Sequence, residues 1–165
     1  MRLEAISRQM DAVATHSLAY LLDCPPAVET LLKASAQMID FKTGEAVFRQ
    51  AETCKGLYLI VSGRFLRKTE CLNMLMMLGQ ASPGDLVELA AVLGSGQHTY
   101  TLNAQSSGSV LLLPIETLNQ VFQSYPIMRM HLLEELAREV CRAYYACSLN
   151  RVTRTRHHHS GAAVA

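Results

Sequence analysis

Tryptophan is absent from the chain, and aromatic residues together make up only 6% of it. A hydrophobic core must therefore be filled by aliphatic side chains and methionine, of which there are eight. Charge is also sparse. Asp, Glu, Lys and Arg amount to 18% of the residues, and the formal net charge is +1. That balance gives no global attraction to nucleic acid or to an anionic membrane surface. With 50% hydrophobic residues, it also excludes an intrinsically disordered chain. No apolar run is long enough to span a bilayer, because each is broken by a charge, Gly or Pro. Residues Met1–Leu22 carry Glu4, Arg8 and Asp11 and lack the continuous apolar centre of a secretory signal, so a cytoplasmic location is expected. The five cysteines (24, 54, 71, 141 and 147) include no CxxC pair, which points to reduced thiols rather than a disulfide framework or a zinc site. Cys24 stands alone near the N-terminus, so no iron–sulfur signature is present. Nothing singles out a haem ligand among His16, His98 and His131.

What is present fits one domain with an appendage. Leu3, Ile6, Met10, Val13, Ser17 and Leu21 recur three and four apart, predicting an N-terminal amphipathic helix ended by Pro25-Pro26. A second short helix is predicted over 27–36. From Met38 the period shortens. Apolar runs at 38–41, 46–48, 57–61, 65–66, 72–78, 99–104 and 110–113 alternate with turns such as Lys42-Thr43-Gly44, Ser62-Gly63, Ser82-Pro83-Gly84 and Ser106-Ser107-Gly108. Many short strands at close spacing predict a small β-roll. Pro114 opens another helix, with Glu116 placed where its charge suits the helix dipole. After Tyr125-Pro126 a long helix is predicted to about Asn150. Its stripe of Leu133, Leu136, Val140, Ala143 and Cys147 has the spacing of a dimer seam. Arg151–Ala165 is predicted to fray as a flexible basic tail, its arginines and histidines solvated.

Several segments in this order resemble the cyclic nucleotide-binding domain superfamily, and in particular regulators of the Crp/Fnr type. Phe41-Lys42-Thr43-Gly44-Glu45-Ala46-Val47-Phe48 is similar to the family's opening strand pair. Gly56-Leu57-Tyr58-Leu59-Ile60-Val61-Ser62-Gly63-Arg64 resembles its "LYxIxSG" strand and hairpin, where Gly63 would supply a positive φ or a close backbone approach. Ser82-Pro83-Gly84-Asp85-Leu86 resembles the entry to the phosphate-binding cassette, and Val110-Leu111-Leu112-Leu113-Pro114 the closing strand. In nucleotide-binding members a Gly-Glu-Leu segment begins a short helix, the Glu accepts from the ribose, and an Arg about ten residues on pairs with the phosphate. The resemblance therefore implies a ligand site at Val87, Glu88, Leu89, Ala90, His98 and Thr99.

Two departures stand out. Val87 occupies the Gly position, and the Arg position falls on His98, or on Gln97 if the loop is gapped differently. Histidine lacks the bidentate guanidinium fork. Cyclic AMP and cyclic GMP are thus expected to bind weakly or not at all. Two readings remain open for each key residue: Glu88 as ribose acceptor or as a solvated helix-start carboxylate, His98 as an anion contact or as a surface-loop histidine. Asp85 reads as a turn residue.

The expectation is a mostly β protein with flanking helices (α+β), a double-stranded β-helix or jelly-roll-like β-roll, with a long C-terminal dimerisation helix. Its expected divisions are a helix at 1–24, the roll at 25–124, the dimerisation helix at 125–150 and the tail at 151–165. The expected role is a sensory or effector domain, with a ligand-free dimeric interaction module as the alternative. The cofactor is unknown, with no metal signature. The expected partners are a second copy of the chain and an unknown small effector. No specific DNA binding is expected, since no helix-turn-helix follows residue 150, and no membrane. The cupin barrel is similar in coarse strand pattern, but the strand region here has no HxH pair and no nucleophile–base pairing, so no enzyme is expected.

Overall fold

A strand buried on both faces reads as an unbroken apolar run rather than as an alternation, and Leu57–Val61 is such a run. The computed structural model describes residues 23–71 and 74–159, the segment 146–159 as backbone alone. The helix predicted over Leu3–Leu21 lies outside the described residues. Helix α1 (Pro26–Ser35) leads into β1 (Gln37–Phe41), β2 (Ala46–Phe48), β3 (Gly56–Ser62), β4 (Phe65–Cys71), β5 (Met74–Ala81) and the short β6 (Leu86–Val87). A π-helical turn (Ala91–Ser95), β7 (Thr101–Ala104) and β8 (Gly108–Pro114) follow. Two helices, α2 (Ile115–Ser124) and α3 (Pro126–His159), complete the order. The strands make two four-stranded sheets, ordered β1-β8-β3-β6 and β2-β7-β4-β5, with antiparallel pairing throughout. This is the predicted β-roll with flanking helices.

The side-chain alternation of β3 and β8 divides the interior in two. Leu57, Leu59, Val61, Leu111 and Leu113 face the helices and pack with Val28 and Leu32 of α1, Leu118 and Val121 of α2, and Met128 and Leu132 of α3. Tyr58, Ile60, Val110 and Leu112 face the other way, into the roll, against Phe48, Phe65, Val87 and Leu102. Burying each such side chain contributes about 1.5–3 kcal/mol, so β3 ties the helical layer to the inside of the roll. The β3–β4 turn needs its glycine. Gly63 has φ +87°, and a Cβ there would lie 2.8 Å from the Gly108 Cα of the facing turn.

Prolines set the helix boundaries. Pro26 opens α1, Pro114 caps α2, and Tyr125-Pro126 ends α2 and starts α3. Three elements differ from expectation. β4 runs well past Leu66 because Arg67–Cys71 pairs with β5 along its length, despite its polar side chains. β6 is too short to show a sequence period. The helix expected to end near Asn150 continues to His159; no Gly or Pro interrupts the segment before Gly161.

Candidate functional site

Strand β6 delivers Glu88 into the interior. Val87 pairs with Tyr58, and the next residue leaves the strand with φ +78°. Such a backbone costs a residue with a Cβ about 1–3 kcal/mol and persists only where its surroundings enforce it. The Glu88 side chain is fully buried. His98 arrives from the loop before β7. Its main chain is clamped to the 51–54 loop: Ala51 N donates to His98 O at 2.8 Å, His98 N donates to Glu52 O at 2.9 Å, and Cys54 N donates to Gly96 O at 2.8 Å. Ala51 also has a positive φ, +67°. Among the described residues, Ala51 and Glu88 are the non-glycine residues in this region, and both border the same site.

A hydrogen bond of 2.7 Å joins His98 Nδ1 to Glu88 Oε2. The imidazole stacks on Phe48, with ring centres 4.0 Å apart and planes 11° from parallel. The second carboxyl oxygen, Glu88 Oε1, is buried with no hydrogen-bond partner. Cys54 lies beside the pair, its buried thiol donating to Gly56 O at 3.3 Å. Burial raises the Cys54 thiol above its ordinary range; backbone hydrogen bonding at Gly56 offsets part of this, and the Glu88 carboxylate raises it further. Burial likewise pushes the Tyr58 and Tyr100 phenols well upward.

Both open alternatives for the solvent side are thereby corrected. Glu88 is not a solvated helix-start carboxylate and His98 is not a surface-loop histidine: each is 3% exposed. Gln97 is exposed, so His98 is the residue that meets Glu88. The positive φ falls on Glu88 itself and not on Val87, which is buried in the roll. Leu89 is buried, while Ala90 and Thr99 are exposed. Asp85 closes its turn by accepting from Ser82 N at 2.9 Å.

Between roll and α3 lie two neighbouring clefts. One, about 230 Å³, is bounded by Glu88, Ala90, Thr99, Leu136 and Val140. The other, about 410 Å³, is bounded by Arg67, Asp85, Glu135, Glu139 and Arg142. Arg67 ties β4 to α3 through Glu139 at 3.6 Å, with its guanidinium carbon 5.9 Å from the centre of the Tyr100 ring. The predicted α3 stripe is split. Leu136 packs partly on the core and Ala143 borders the clefts, whereas Leu133 and Val140 are exposed. The Cys147 side chain lies outside the described residues. Cys54 and Arg67 carry no mark in the sequence as site residues. Cys54 has no His or second Cys within a turn, and Arg67 lies beyond the predicted end of its strand.

A model of the family described as "Cyclic nucleotide-binding domain" matches residues 38–125, more than half the chain. The catabolite activator protein of Thermus thermophilus is 22% identical, with a TM-score of 0.66 over 80% of this chain and 62% of that one. The sensor domain of the transcriptional regulator DNR from Pseudomonas aeruginosa is 17% identical, with a TM-score of 0.69 over 86% of this chain and 93% of that one. The regulatory domain of Toxoplasma gondii PKA with cAMP is 16% identical, with a TM-score of 0.62 over 69% of this chain and 43% of that one. At these identities the fold is what is shared. The chain spans less than two thirds of the Thermus and Toxoplasma proteins. No curated protein matches it. No helix among the described residues is long and apolar enough to cross a membrane.

Proposed function

The chain belongs to the cyclic nucleotide-binding domain family, and on that premise we propose that it is the sensory domain of a Crp/Fnr-like regulator whose cassette does not hold a cyclic nucleotide. The observation that carries this reading is the 2.7 Å bond between Glu88 and His98. The resemblance assigns these two positions to ribose and phosphate recognition; here they satisfy each other inside the roll. Phosphate recognition calls for a cation that stays charged and offers two parallel donors. His98 has one nitrogen on Glu88 and its ring against Phe48. Losing a charge-assisted contact costs about 1.5–3 kcal/mol, or roughly tenfold to a hundredfold in affinity. Opening the Glu88–His98 bond adds to that.

The charged cleft at Arg67, Glu139 and Arg142 supports a small effector held between roll and α3. A dimer through α3 then transmits occupancy to whatever the regulator controls. The domain acts in the cytoplasm by binding and not by catalysis, and it makes no sequence-specific DNA contact itself. The apolar filling of the roll by Phe48, Tyr58, Ile60, Phe65 and Leu102 supports the second reading, a ligand-free dimeric interaction module. Calorimetry with cyclic AMP and cyclic GMP at neutral and mildly acidic pH tests the cassette. The expected result is no measurable binding at neutral pH. Micromolar affinity there overturns the reading.

A further inference from the structure

The buried group of Cys54, Glu88 and His98 contains more donor chemistry than a hydrogen-bonded pair needs. One ligand-type atom from each lies within 4.8 Å of those of the other two, and all three residues are buried. They come from three segments: the loop before β3, the exit from β6 and the loop before β7. The backbone bonds linking Ala51, Glu52 and Cys54 to the 96–98 loop hold the first and third together without any help from the side chains. The set is thus positioned before anything binds.

One atom in it is out of balance. Glu88 Oε1 is buried and has no hydrogen-bond donor, on a side chain that is 0% exposed. Removing a carboxyl oxygen from water without a partner is costly. The neighbouring thiol is engaged with Gly56 O and the imidazole nitrogen with Oε2, so neither serves Oε1, and a cation held among the three groups would.

We propose that Cys54, Glu88 and His98 form a three-ligand site for a borderline divalent transition ion of the Zn²⁺ class. Thiolate, imidazole and carboxylate are the three donor types such ions take, at about 2.3, 2.0 and 2.0 Å. Ca²⁺ and Mg²⁺ are excluded because they take oxygen ligands, and here two of the three donors are sulfur and nitrogen. Tetrahedral ligation at those lengths sets donor atoms about 3.3–3.5 Å apart. Glu88 Oε2 and His98 Nδ1, 2.7 Å apart without the ion, therefore separate by roughly half an ångström while Cys54 moves in; their hydrogen bond gives way to two metal bonds, its proton passing to His98 Nε2 or to solvent, and the Cys54 thiol releases its own proton to solvent. Three protein ligands leave a fourth position open, as in sites that exchange a water or a small ligand. Glu88 also borders the cleft under α3, so loading the ion acts on a residue in the wall of that cleft. This inference stands on the three side chains and is independent of the regulatory reading.

The test is Co²⁺ titration of the metal-stripped full chain under a phosphine reductant, read by the thiolate-to-cobalt charge-transfer band. The expected result is a band that saturates at one ion per chain and is displaced by Zn²⁺. Cys54→Ser removes the band. His98→Gln weakens Co²⁺ binding by roughly tenfold or more. A control variant with Cys24, Cys71, Cys141 and Cys147 changed to Ser and His157, His158 and His159 changed to Ala keeps the band. Absence of the band from the parent chain, its survival in Cys54→Ser, or its loss in the control variant with circular dichroism unchanged overturns the proposal. Cys54→Ser is close to isosteric, and its circular dichroism spectrum verifies the fold independently.

Discussion

Glu88 concentrates three costs in one residue: a positive φ, a fully buried carboxyl group and an oxygen without a donor. His98 offsets part of this by bonding Oε2, which makes the two residues energetically inseparable. His98→Leu keeps the volume near Phe48 but leaves both carboxyl oxygens without a partner. Breaking a buried pair in this way costs about 3–5 kcal/mol. Replacing both members trades the unmatched carboxyl group for a neutral amide, which is less costly to bury, so Glu88→Gln with His98→Leu is expected to be less destabilised than His98→Leu alone. Urea unfolding of the parent, both single variants and the double variant measures the coupling; additive effects would show that the pair does not act as a unit. The ten-residue separation of Glu88 and His98 is visible in the sequence and marks both as cassette residues. Their bond to each other is not visible there. It depends on the loop clamp formed by Ala51, Glu52, Cys54 and Gly96, which are hydrogen bonds between main-chain atoms that almost any side chain permits.

Elements with a strong period were legible, and those shaped by their neighbours were not. β3 and β8 announce themselves as apolar runs because both of their faces are buried. The turn at Gly63 is marked by the only residue type that fits its contact with Gly108. β6, two residues long, gives no period, and it is the element that sets the site. β5 misleads in another way. Its apolar run Met74–Leu78 looks like core, yet it is the edge strand of its sheet and every residue from Met74 to Gln80 is exposed. Hydropathy reports the tendency to be buried, not whether a partner is available. The exposure has a direct consequence. Met74, Met76 and Met77 are 62%, 43% and 61% exposed, whereas Met128 is 0% exposed. Under dilute peroxide the three β5 methionines are expected to become sulfoxides well before Met128. Peptide mass spectrometry over a time course follows the order, and oxidation of Met128 at a rate equal to that of β5 would contradict the packing of α3 on the roll.

At the scale of the whole molecule the open question is what covers the outer side of α3. Leu132 and Leu136 turn toward the roll. Beside them Met130, Leu133, Ala137, Val140 and Tyr144 are exposed and recur at intervals of three, four, three and four residues, with Val140 at the edge of the cleft beneath the helix. That is the spacing of a two-helix seam, and it shares only Leu133 and Val140 with the described part of the stripe read from sequence. We therefore expect a parallel homodimer through this face. The variants that test it differ from those the sequence alone would recommend. Leu136→Glu would place a charge against the roll and lower its stability, so a loss of dimer in that variant would say little. Leu133→Glu with Val140→Glu alters exposed positions only. Two facing pairs of like charges would then meet in the seam, while the monomer should lose no more than about 0.5 kcal/mol per site. Sedimentation at micromolar concentration should show a dimer for the parent chain and a monomer for the double variant, with both retaining a cooperative unfolding transition. A parent chain that sediments as a monomer at that concentration removes the dimer from the proposal, and with it the route by which an effector bound beneath α3 reaches a second subunit.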